Sequence, residues 1–171
     1  MTMAELELKR KLELAKSRKT DPAILLALSK DEDERVRYCV AWNFSCPLEA
    51  IINLASEYNW QIREAIAKHY NAPRWILEDL ARDPHYAVRL QVAKNPYATG
   101  KIMGRLAHDP EWIVRREVAI NAKARDVFSL RLLANDECDF VRTEVARNLH
   151  TPKEEREKLK AEGMTLSMIC F

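Results

Sequence analysis

The chain has 171 residues, a net charge of +2, 47% hydrophobic and 32% charged residues, and three glycines. Without any sustained two-residue alternation, that composition excludes a sheet-rich fold and fits a helical protein rich in surface charge, while the length lets one domain bury about 70% of its unfolded surface. The charge balance by itself excludes no class of partner.

In chain order, residues 4–19 place Leu6, Leu8, Leu12, Leu14 and Ala15 among three acids and six bases. The spacing predicts a helix with one apolar stripe. A stack of repeats needs an atypical end unit to cover its apolar face, so residues 1–20 are expected to form an N-terminal cap. Thr20-Asp21-Pro22 then opens a series of tandem units. Their anchor pairs are Val36-Arg37, Ile62-Arg63, Val88-Arg89, Val114-Arg115 and Val141-Arg142, spaced by 26, 26, 26 and 27 residues. A fixed period of this length marks a repeat architecture. An acid stands five residues before each anchor (Asp31, Glu57, Asp83, Asp109, Asp136). A Val/Ile-Ala pair follows four residues after it, with Asn43, His69, Asn95, Asn121 and Asn148 just beyond.

Each unit begins with an apolar run: Ile24-Leu25-Leu28, Ile51-Ile52-Leu54, Ile76-Leu77-Leu80, Ile102-Met103-Leu106 and Leu130-Leu132-Leu133. The pattern predicts a short helix, a turn and a longer helix per unit, over 22–46, 47–72, 73–98, 99–125 and 126–151. Asp83 and Asp109 read as N-caps with Pro84 and Pro110 at the first helical position, and the Asn at the far end as a left-handed helix stop. Trp75, near the start of a short helix, reads as core. The turn Asn121-Ala122-Lys123-Ala124-Arg125 lacks the proline found at other short-helix starts and holds the extra residue. Thr151-Pro152-Lys153-Glu154 reads as an N-cap with an acid three residues on, opening a last short helix to about residue 161. Residues 152–171 then form a C-terminal half-repeat whose uncharged tail, Met164–Phe171, is expected to pack on the last unit, a weak dimer contact being the alternative to a monomer. The expected whole, 1–171, is one all-α domain: an alpha-solenoid of about five 26-residue two-helix repeats between capping helices.

The recurring Arg lies at the edge of each apolar stripe and needs a partner there. The acid six residues earlier is expected to meet the Arg of a stacked neighbour, so that the five acids and five arginines form a ladder, in preference to a phosphate-binding row. Here the sequence resembles two related families. The Asp-x5-Arg spacing looks like the ladder of HEAT repeats, whose units are longer. The pattern L-A-x-D-P-x-x-x-V-R-x-x-V-A-x-N-P, matched by Leu80-Ala81, Asp83-Pro84, Val88-Arg89, Val92-Ala93 and Asn95-Pro96, is closer to the leucine-rich repeat variant (LRV) family and covers about residues 22–161. That resemblance implies a right-handed superhelix of alternating short and long helices, the short ones partly 3₁₀. One member type of the family binds an iron–sulfur centre through an N-terminal cysteine cluster. Residues 1–20 hold no Cys, so this cofactor is not carried over.

Positions that escape the repeat point to function. Two residues after the anchor come Tyr38, Glu64, Leu90, Arg116 and Thr143, and six after it Trp42, Lys68, Lys94, Ile120 and Arg147. Both columns are expected to face away from the apolar stripe. If the longer helices line a concave side, Tyr38, Trp42, Lys68, Leu90, Lys94, Arg116, Ile120 and Arg147 make a partner-binding strip that is aromatic at one end and basic at the other. A further column, Glu34, Trp60, Tyr86, Trp112 and Asp139, puts aromatics in adjacent units and reads as inter-repeat packing. No catalytic residue is expected: His69, His85, His108 and His150 fit no H-E-x-x-H, and no G-x-S-x-G, P-loop or Rossmann fingerprint occurs. No cofactor or metal is expected either, since Cys39, Cys46, Cys138 and Cys170 form no C-x-x-C pair and read as small helix residues of a reducing compartment. With no apolar stretch near the roughly 20 residues of a membrane helix, and no signal-peptide core, the chain is expected in the cytoplasm. The function expected is a non-catalytic scaffold for a protein or peptide partner. The alternative is nucleic-acid binding in the manner of the HEAT-like DNA glycosylases, although Glu64, Glu117 and Glu144 interrupt the basic residues.

Overall fold

The computed structural model describes residues 2–123 and 126–164. All regular structure among them is helical, in twelve helices. After α1 (Met3–Lys16) the short and long helices alternate: α2 (Pro22–Leu28) and α3 (Glu34–Ala41), α4 (Leu48–Leu54) and α5 (Trp60–Lys68), α6 (Arg74–Leu80) and α7 (Tyr86–Lys94), α8 (Gly100–Leu106) and α9 (Trp112–Asn121), α10 (Val127–Leu133) and α11 (Asp139–Arg147), then α12 (Lys153–Ala161). The fold is therefore the expected all-α helical repeat of the solenoid kind. The short helices are α-helical, not 3₁₀. By contacts the chain divides into two compact units, Met1–Gln91 and Val92–Phe171, with the division inside α7.

Within the first unit α1 packs on α3, α3 on α5 and α2 on α4. The anchor and the residue four beyond it point inward from each long helix, so Val36, Val40, Ile62 and Ile66 are fully buried against Leu25, Ile51 and Leu54 of the short ones. Each such side chain contributes about 1.5–3 kcal/mol on leaving water. The second unit repeats the arrangement with α9 on α11, α8 on α10 and α11 on α12, around Val114, Val118, Leu130, Val141, Val145 and Leu159. Trp75 departs from the expectation: it is 53% exposed. A seven-residue helix has room for one inward stripe, which Ile76, Leu77 and Leu80 occupy, and the residue just before that stripe is turned outward. In α1 the cap stripe is shallow, with Ala15 buried, Leu8, Leu12 and Leu14 half-buried, and Leu6 exposed.

Asp83 and Asp109 do not cap helices. Their Oδ1 atoms accept the amides of His85 and Glu111, and α7 and α9 begin only at Tyr86 and Trp112, so Pro84 and Pro110 lie in the preceding turn. The reason is the second demand on these acids. Arg63 of α5 binds Asp83 through Nε at 2.6 Å and Nη2 at 2.9 Å, and Arg115 of α9 binds Asp136 in the same two-pronged way at 2.7 and 2.9 Å. Arg37 reaches Glu57 likewise at 2.7 Å. Each guanidinium also donates Nη1 to the backbone carbonyl of its own unit's acid, Asp31, Glu57, Asp83, Asp109 or Asp136. For Arg37, Arg63 and Arg115 the rung is thus carboxylate to the next repeat and carbonyl to the same one, whereas Arg142 pairs with Asp139 of its own helix. Asp31, which has no preceding repeat, is met by Lys11 of α1 at 2.9 Å. Burial opposes its ionisation, yet the Asp33 amide and the Lys11 ammonium hold the Asp31 carboxyl below its usual value.

The Asn series works through its side chains. No described non-glycine residue has a positive φ; Gly163, at φ 87° beyond α12, does. Asn43 accepts the Ser45 amide on Oδ1 and donates Nδ2 to the carbonyls of Ala15 and Ser17, and Asn148 accepts from His150 and donates to Ala119 and Ala122. Each side chain closes its own turn and satisfies the last carbonyls of the preceding helix. His69 replaces Asn in the second repeat by the same logic, Nδ1 accepting from Asn71 and Nε2 donating to the Asn43 carbonyl. Asn121 keeps half of the pattern. Its Nδ2 still donates to the Ala93 carbonyl at 3.3 Å, and also to Glu117 at 2.6 Å, but Asp126 takes over the turn by accepting the Lys123 amide. Asp126 fits because residue 100 is glycine, where a Cβ would lie 2.9 Å from Asp126 Oδ1. Thr151 likewise caps nothing, since its hydroxyl donates to the Val145 carbonyl at 2.6 Å and Pro152 stands at the N-cap of α12. Met164 is buried, its sulfur accepting from the Thr143 hydroxyl; the rest of the tail lies outside the described residues.

Candidate functional site

Of the eight strip residues, the first unit carries four. Tyr38 sits on the outer side of α3 and Trp42 at its C-cap, with ring centroids 6.2 Å apart and exposures of 38% and 40%. Lys68, at the end of α5, places its ammonium 4.7 Å from the centre of the Trp42 ring. The structure therefore brings three of the four together as a cation–π group. Leu90 is half-buried on α7.

In the second unit Lys94 and Ile120 are exposed, but the two arginines are not free. Arg116 binds Glu144 through Nη2 at 2.7 Å and Nε at 3.2 Å, and Arg147 approaches the same carboxylate at 3.4 Å. Both arginines of the expected basic end thus share Glu144. The column two residues after the anchor does not face solvent throughout: Thr143 is buried, and Gln91 of α7 donates to Glu64 of α5 at 3.1 Å. Spacing 28 residues apart, as for Arg116 and Glu144, is legible only once long helices are known to lie side by side.

The aromatic column packs between repeats. Trp60 lies on His85 with centroids 3.9 Å apart and planes 7° apart, and Trp112 meets Phe140 at 5.5 Å. One group escaped the sequence reading. Phe44 and Tyr70, in the turns after α3 and α5, lie 6.1 Å apart, Tyr70 donating its hydroxyl to the Phe44 carbonyl, and the Arg18 guanidinium lies 4.7 Å over the Phe44 ring. The signal was present as an aromatic eight residues after each of the first two anchors.

Cys46 is buried, and burial pushes its thiol up to about 12, which makes it a poor nucleophile. Burial also raises the Cys39 thiol. Among the described residues no group of three or more His, Cys, Asp or Glu is placed to hold a metal ion, and no helix is long and apolar enough to cross a membrane. Comparison with known proteins finds no matching family model, no matching curated protein and no matching solved structure.

Proposed function

We propose that the chain is a non-catalytic interaction scaffold of the LRV type that works in the cytoplasm and holds a protein or peptide on the faces of its longer helices. The observation that carries this reading is the Tyr38, Trp42 and Lys68 group. It consists of two large rings and a cation left open on α3 and α5, helices whose other polar residues are largely committed to the fold. Aromatic side chains with a neighbouring cation supply anchoring area at low entropic cost and are typical energetic centres of interfaces. In the second unit Lys94 and Ile120 are the exposed members of the expected strip, and Leu90 in the first unit and Arg116 and Arg147 in the second are half-buried. The unpaired Cys39, Cys46 and Cys138 support a reducing compartment. The test is affinity capture by the wild-type chain and by Tyr38→Ala/Trp42→Ala, with identification of what is retained. A partner lost by the double variant at unchanged helicity supports the reading, and a partner retained in full moves the site elsewhere.

A further inference from the structure

The loops of the repeat sort charge. Those leading into the long helices carry the ladder acids, whereas in the first unit residues 15–20, 41–46 and 67–72, which follow α1, α3 and α5, contain no Asp or Glu. They carry Lys16, Arg18, Lys19 and Lys68 with Trp42, Phe44 and Tyr70. These three segments form one edge. Asn43 binds the carbonyls of Ala15 and Ser17, Ser45 donates to the Arg18 carbonyl, His69 donates to the Asn43 carbonyl, and Tyr70 reaches Phe44.

We propose that this edge, Lys16, Arg18, Lys19, Phe44, Lys68 and Tyr70, binds single-stranded nucleic acid. Four cations from segments that themselves hold no Asp or Glu supply the attraction for a phosphate backbone. Phe44 and Tyr70 are 51% and 48% exposed, in successive repeats. Tyr70 has the His69 ring against one face, 5.4 Å away and 11° from parallel, so its exposed area belongs to the other face and edge. Arg18 over Phe44 joins a guanidinium plane to the same platform. Half-exposed rings from adjacent loops, flanked by cations, accept unstacked bases, whereas paired bases of a duplex present no such faces. An acidic peptide would use the cations but gain little from flat rings. The edge adjoins the helix faces assigned above to a protein partner and shares Lys68 with them, whereas Lys16, Arg18, Lys19, Phe44 and Tyr70 belong to the edge alone. The second unit has the same composition in its own loops, with Lys94, Tyr97 and Lys123 and no acid in 93–98 or 119–123.

The full chain is titrated into a fluorescent oligothymidylate of about twelve nucleotides and into the duplex of equal length, followed by anisotropy at several salt concentrations, with helicity checked by circular dichroism. The single strand is expected to bind at least about fivefold more tightly than the duplex, and Phe44→Leu/Tyr70→Leu, which keeps apolar bulk but removes the ring faces, to weaken it about tenfold or more. The slope of log affinity against log salt should be about −2 to −3, and Arg18→Gln should make it shallower by about 0.7. Absence of binding at low salt overturns the proposal, as does equal affinity for the duplex or undiminished binding by the leucine variant. Displacement of the oligonucleotide by polyglutamate at equal charge overturns the assignment to nucleic acid. Tyr38→Ala, which alters the strip at a residue outside the edge and leaves Trp42 and Lys68 in place, should leave this binding within about twofold, so the two surfaces are tested separately.

Discussion

At the scale of single residues, the ladder arginines and His69 carry the clearest consequences. Arg63 and Asp83 are both largely buried and joined by two short hydrogen bonds, so removing the guanidinium strands a carboxylate in a place that water reaches poorly. Arg63→Ala should therefore cost about 3–5 kcal/mol, and Arg82→Ala, which removes an exposed pair with Asp79 and a long bond to the Glu78 carbonyl just after α6, less than about 0.5 kcal/mol, both read as shifts of the urea midpoint. His69 is held neutral: burial lowers its pKa, and the Asn43 carbonyl only partly offsets this. A proton on Nδ1 would replace an acceptor by a donor facing the Asn71 amide. With the folded pKa below the unfolded value of about 6.5, the unfolded chain binds the proton first, so the stability is complete above that pH and falls as pH drops through it. His69→Asn, which installs the side chain used at this slot in the other repeats, should remove that part of the pH dependence while keeping the turn closed. Denaturant titrations at pH values on either side of 6.5 make the comparison.

At the scale of the element, the Asn slot decides how each long helix ends. Asn43 needs both of its groups, an acceptor for Ser45 and a donor for Ala15 and Ser17. Asn43→Asp keeps the first and sets a negative charge against two carbonyls, so it should destabilise by about 2–4 kcal/mol. Asn43→His should be milder, because His69 shows an imidazole meeting the same two demands. Thermal melts of the two variants test the order. These details separate what was legible from what was not. Val88-Arg89 and its counterparts announced the helix pairs, because burial of one stripe repeats whatever surrounds it. The caps misled because Asp83 before Pro84 has the local chemistry of a helix start, and its prior commitment to Arg63, 20 residues away, is a tertiary fact. Trp75 misled because residue type says little about direction on a helix of two turns. Tyr38, Trp42 and Lys68 were recognised as exceptions to the repeat, and their meeting through Lys68 over Trp42 required the packing of α3 on α5.

At the scale of the whole molecule, the repeats within each unit lean on one another. Ile66→Ala should cost about 2–5 kcal/mol and, in hydrogen exchange, deprotect α3 and α5 before α9 and α11, because the cavity opens among the first unit's own core residues. Uniform loss of protection across all helices would count against that locality. The two kinds of tie also have opposite polarity. The Asn or His reaches back, as from Asn148 to Ala119 and from His69 to Asn43, and the Arg reaches forward, as from Arg37 to Glu57 and from Arg115 to Asp136. Any window one period long, wherever it is cut, contains one of each. Unequal exchange between copies of the gene can then lengthen or shorten the array by a whole period without orphaning a donor or a carboxylate. An insertion of one residue cannot, and the 27-residue step between Arg115 and Arg142 records the consequence: there Asn121 has abandoned its turn, and an aspartate seated against a glycine has had to replace it.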